Sequence, residues 1–72
     1  MNEQEKLRVL IPHWIEHNQE HADEFVNWAS CAGDAEQDLL EAARTIAEAN
    51  KVLSGALEKL GGALPYEIPH SH

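Results

Sequence analysis

Residues 35–60 read AEQDLLEAARTIAEANKVLSGALEKL, and this stretch decides the fold. Leu39, Ile46, Leu53 and Leu60 recur every seven residues, as do Ala35, Ala42, Ala49 and Ala56. A third row, Ala43, Asn50 and Leu57, lies on the other side of the leucine row. A spacing of seven is close to two helical turns, so each row keeps to one side of an α-helix. The spacing predicts a helix over residues 35–60, roughly 39 Å long at about 1.5 Å per residue. Alanine at a repeating core position lets another helix approach closely. Three adjacent apolar rows are also wider than one partner helix can cover. The expected architecture is therefore all-α: an antiparallel two-helix hairpin that dimerises into a four-helix bundle. The alternative is a monomer whose C-terminal tail covers the extra row.

Working back toward the N-terminus, Gly33 and Asp34 separate this helix from an earlier one. Gly33 can take the left-handed conformation that ends helices, and Asp34 with Gln37 has capping-box spacing. A turn over 32–34 is so short that the two helices must run antiparallel. The first helix is expected over 3–31, with Asn2 as N-cap and Glu5 completing a capping box. Its apolar seam reads Leu7, Ile11, Trp14, Asn18, His21, Phe25 and Trp28, in alternating steps of four and three. Pro12 interrupts this run. It cannot donate to the Arg8 carbonyl, so a kink is expected there, with the seam keeping phase across it.

In the other direction, Gly61 and Gly62 stop the second helix. Residues 1–62 thus form the hairpin, and residues 63–72, ALPYEIPHSH, form an extended, histidine-containing tail. Leu64, Tyr66 and Ile68 alternate, so one side of the tail could lie in a groove of the bundle.

A chain of 72 residues makes one domain and is only marginally stable alone. Its single cysteine, Cys31, excludes an intrachain disulfide, which leaves a metal, oligomerisation or both as sources of stability. The formal net charge of -8 repels phosphate backbones, so neither nucleic acid nor an anionic membrane is an expected partner. The opening MNEQEKLRVL lacks a basic segment followed by an apolar stretch, so no signal peptide is expected. No apolar run approaches the roughly 20 residues of a membrane span. With a free thiol, these features lead to a cytoplasmic expectation.

Histidine is the conspicuous residue type, with 5 copies in the chain. His13, His17 and His21 stand at i, i+4 and i+8 in HWIEHNQEH, so all three occupy one ridge of the first helix. The ladder climbs from the polar boundary at His13 to the seam at His21. Two histidines one turn apart are a common start to a transition-metal site, and imidazole suits Zn, Ni, Co and Cu. Further ligands would come from Glu24, from the tail histidines His70 and His72, or from a second copy. No Glu-x-x-His occurs in either helix and no His-Glu-x-x-His occurs at all, which removes the di-iron bundle and metalloprotease patterns. The competing reading is structural. Asn18 and Asn50 fall in their seams at about equal height, and with His17 and His21 they would form one buried polar layer fixing register. Cys31 has no basic neighbours and reads as a packed or half-exposed thiol. The carboxylates near the ladder read as a solvated face. No catalytic residue set emerges, and two helices offer little concavity, so an enzyme is not expected.

The stretch LRVLIPHWIEHNQEHADEFVNWA, residues 7–29, resembles the opening of an uncharacterised family of short prokaryotic helical-hairpin proteins. Their motif is of the LPHWIEHNxxH type, followed by an Ala/Glu-rich helix and Leu-Gly-Gly. Here Ile11 stands in the leucine place, and Leu60-Gly61-Gly62 matches the end. The resemblance covers most of the chain. It implies a helical hairpin and directs attention to His13, His17, Asn18 and His21, but carries no activity.

The leading functional expectation is a small metal-binding helical protein, handling or sensing Ni, Co, Zn or Cu through His13, His17, His21, Glu24, His70 and His72. The alternative is a structural or interaction module, a homodimer whose His/Asn layer sets register without metal. An unknown protein partner is compatible with either.

Overall fold

The computed structural model describes residues 2–64. Two helices, α1 (Glu3–Ala29) and α2 (Glu36–Leu60), pack against each other, with no strand among the described residues. The start of α1 is the capping box read from the sequence. The Glu5 N–H donates to Asn2 Oδ1 at 2.7 Å, and the Asn2 N–H donates to Glu5 Oε1 at 3.1 Å. This satisfies two N-terminal donors reciprocally. α1 continues through Pro12 without a break.

The turn differs from expectation. α1 ends at Ala29 rather than at residue 31, and a short 3-10 segment, Gly33–Ala35, precedes α2. Asp34 lies inside that segment, and no side chain caps the start of α2. The reason is local. An N-cap residue needs an extended backbone, whereas a 3-10 turn already winds Asp34 in the helical sense. Backbone bonds do the work instead, from Cys31 to the Trp28 carbonyl at 2.9 Å and from Ala35 to the Ala32 carbonyl at 3.0 Å. Gly33 is left-handed, at φ 59°, as the reversal requires.

α2 ends in a Schellman motif. The Gly61 N–H donates to the Glu58 carbonyl at 3.0 Å and the Gly62 N–H to the Leu57 carbonyl at 2.8 Å, with Gly61 at φ 113°. The chain then turns back onto α1. The Arg8 guanidinium donates to the carbonyls of Gly62 (Nε, 2.6 Å) and Gly61 (Nη2, 2.9 Å). α1 thereby supplies a cation to the negative end of α2, where dipole and unsatisfied carbonyls both favour it.

The helix–helix seam is rotated from the one expected. Ile11, Ala22 and Ala29 are buried on α1, with Leu7, Ile15, Asn18 and Phe25 half-buried. The seam keeps Ile11, Asn18 and Phe25 but continues through Ile15, Ala22 and Ala29. Trp14, His21 and Trp28 lie on its flank, exposed. On α2, Ala43 and Asn50 are buried. Alanines at the contact line let the backbones approach, which a row of tryptophans would prevent. The polar layer is smaller than expected. Asn18 and Asn50 meet in the seam, whereas His17 and His21 stand outside it.

The result is a slab. Its extents are 48 × 27 × 14 Å, so its thickness is little more than the roughly 10–12 Å of one helix with side chains. The radius of gyration is 15.0 Å, against about 11 Å for a compact domain of this length. No large side chain is fully buried among the described residues.

Candidate functional site

One broad face of the slab carries the chemistry that the fold leaves unused. At about 100° per residue, Leu7, Leu10, Trp14, His21 and Trp28 fall on one side of the α1 contact line. Leu39, Ile46, Leu53 and Leu60 fall on the same rotational side of the α2 contact line, flanked by Ala42, Ala49 and Ala56. Antiparallel neighbours related by a two-fold axis through the slab present the same rotational side to the same face. These rows therefore share one surface. Leu10 is 41%, Trp14 44% and Trp28 63% exposed, and the α2 leucine row is half-buried. The opposite face holds a shallow, largely apolar groove lined by residues including Ala22, Val26, Leu40, Ala43 and Ala47, with Gln19, Asp23 and Arg44 at its edge.

The histidine ridge runs along the edge of the apolar face. His21 sits within it, between Trp14 and Trp28 in the seven-residue row, and is exposed. Its Nδ1 lies 4.0 Å from Glu24 Oε1, with both side chains about three-fifths exposed. His17, one turn earlier, is also exposed and lies further toward the rim. His13 is half-buried and faces away, lining a recess with Val9, Pro12, Glu16, Ala63 and Leu64. The ladder thus holds its order along one continuous helix, but its inner end reaches the open face rather than the helix–helix seam. His70 and His72 lie outside the described residues. Among the described residues, no three His, Cys, Asp or Glu side chains converge on a point that could hold a metal ion. Cys31 is exposed at the turn.

The asparagines behave differently. The Asn18 amide donates to Asn50 Oδ1 at 3.0 Å, and the Asn50 amide donates to the Ile15 carbonyl at 3.1 Å. Asn50 is buried, and these bonds satisfy it on both sides of its amide. The pair is a specific polar clasp in an otherwise apolar seam. Sliding the helices by one turn would leave both amides without partners, at the cost of unmade buried hydrogen bonds.

Arg8 was not singled out from the sequence. The only signal for it was indirect: Pro12 removes the donor that would normally serve the Arg8 carbonyl. No membrane-crossing helix exists among the described residues.

The chain belongs to the family described as a domain of unknown function, DUF8180, whose model matches residues 7–60. The match spans α1 from Leu7, the turn and all of α2. No curated protein and no solved structure matches the chain.

Proposed function

We propose that this protein is a self-associating helical hairpin, an interaction module in which two copies lay their apolar faces together as a four-helix bundle. The observation that carries this reading is the surface, uncovered among the described residues, formed by Leu10, Trp14 and Trp28 beside the half-buried leucine row of α2. Domains are built from at least two packed layers around a core, and a single chain supplies one. Fully burying a large apolar side chain contributes about 1.5–3 kcal/mol. Several such residues per copy suffice to offset an association cost on the order of 4–15 kcal/mol. The Asn18–Asn50 clasp then serves to fix each hairpin before it pairs.

Sedimentation equilibrium across a range of concentrations tests this. A mass of twice the 8.0 kDa chain, returning to one chain mass in Trp14→Glu with Trp28→Glu, is the expected result. A single-chain mass at every concentration would refute it.

A second reading is a transition-metal site on the histidine ridge. It is supported by the i, i+4 placement of His17 and His21 on one unbroken helix and by the Glu24 carboxylate beside His21. The remaining ligands would have to come from a second copy or from the tail. Calorimetric titration of metal-free protein with Zn or Ni decides it. Binding at micromolar levels that is lost in His17→Ala with His21→Ala supports the site, and millimolar binding unchanged by that pair removes it.

A further inference from the structure

Resting on the self-association proposed above, we infer that the two copies stack with their turns at opposite ends, α1 over the partner's α1 and α2 over the partner's α2. One observation independent of the apolar area carries the orientation, and a second shows that the seven-residue rows fit it.

The first is charge. Between Ala22 and Ala43 the chain holds Asp23, Glu24, Asp34, Glu36, Asp38 and Glu41 and no Lys, Arg or His. The hairpin geometry gathers all of these into the turn half of the slab. Lys6, Arg8 and Lys59 lie in the open half beside Glu3, Glu5 and Glu58, and Arg44 and Lys51 lie nearer the middle with Glu16, Glu20 and Glu48. Stacking with turns together would lay one acidic half on another. Stacking with turns apart lays each acidic half on a half whose charges nearly balance, so it avoids that repulsion and is the favoured pairing.

The second is the match between rows. The α1 row Leu7, Trp14, His21, Trp28 has its midpoint between His17 and Asn18. The α2 row Leu39, Ile46, Leu53, Leu60 has its midpoint between Ala49 and Asn50. The Asn18–Asn50 and Asn50–Ile15 hydrogen bonds place those two midpoints at the same level across the hairpin. A single two-fold axis lying in the interface and perpendicular to the helices can therefore serve both rows at once. It sets Leu7 against the partner's Trp28, Trp14 against the partner's His21, Leu39 against the partner's Leu60 and Ile46 against the partner's Leu53. Every tryptophan meets a leucine or an imidazole, and Ala49 falls close to the axis, where small side chains let the two α2 helices approach closely.

The lone, exposed Cys31 provides the test, because it marks the turn end and lies off the paired rows. Spin-labelled at Cys31, full-length protein is measured by pulsed dipolar spectroscopy alongside sedimentation. Turns apart predicts a label separation of about 40 Å, from roughly 1.5 Å per residue between the midpoint and the turn on each copy. Turns together predicts about 10–20 Å, set by an interhelical spacing of about 8–10 Å. A separation in the shorter range overturns the orientation while leaving self-association intact. A dimer by sedimentation whose labels show no peak near the longer distance also overturns it. A single-chain mass overturns both readings together.

Discussion

The Leu64 N–H points at the Arg8 carbonyl oxygen from 3.4 Å, the oxygen that Pro12 leaves without its helical donor. That contact is long, but it joins two shorter ones from the Arg8 guanidinium to the carbonyls of Gly61 and Gly62. Backbone and side chain of one residue therefore hold the exit of α2. Removing the side chain, in Arg8→Ala, should cost about 1–3 kcal/mol, the range for hydrogen bonds to a charged group. Amide hydrogen exchange should speed up over the last turn of α2 before it does elsewhere. Arg8→Lys should recover only part, because an ammonium cannot present the same fork to two carbonyls. Chemical denaturation with exchange mapping checks both.

Glycine substitutions should split by site. Gly61 is left-handed, and an added Cβ would lie 3.2 Å from Arg8 Cζ, so Gly61→Ala should destabilise by about 1 kcal/mol or more. Gly55 is helical and an added Cβ meets nothing within 4 Å, so Gly55→Ala should stabilise by roughly 0.5–1 kcal/mol. Thermal melts of the two variants should move in opposite directions.

The asparagine clasp predicts non-additivity. Asn50→Ala alone strands the Asn18 amide and should cost about 1–3 kcal/mol. Replacing both by leucine should cost far less or stabilise, since an apolar pair in the seam leaves no unmet partner. A double-mutant cycle measured by denaturant unfolding tests this. Equal and additive losses would show that the hydrogen bond does not couple the two sites.

Much of the fold was legible, and the part that was not has a physical explanation. The seven-residue rows, the Asn2 capping box, Gly33, and the Gly61-Gly62 stop each rest on local chemistry, and the hairpin follows from them. The level shared by Asn18 and Asn50 followed from the turn position alone. The phase of the α1 seam did not. Ile11, Asn18 and Phe25 are compatible with a companion row on either flank, and large Trp14, His21 and Trp28 give a stronger apolar signal than Ile15, Ala22 and Ala29. Size misled because close packing favours the small residues, while the large ones remain for the open face. That rotation is what carried His17 and His21 out of the expected polar layer. The Asp34 cap failed for a different reason, because the 3-10 turn satisfied the backbone without it.

Truncating the open face should separate association from folding. Trp28 is 63% exposed in the single chain, so Trp28→Ala removes little intrachain packing. In an assembling protein it should still weaken pairing by about 2 kcal/mol or more, the range for a buried aromatic anchor. Sedimentation should show the dissociation constant rising by at least tenfold, with far-UV circular dichroism unchanged at high concentration.

A body only 14 Å thick has no inside to retreat to. If its missing half is another molecule of the same kind, its melting temperature becomes a gauge of its own abundance. Dilution would then act as a denaturant, exposing scarce chains to proteolysis while plentiful ones protect each other.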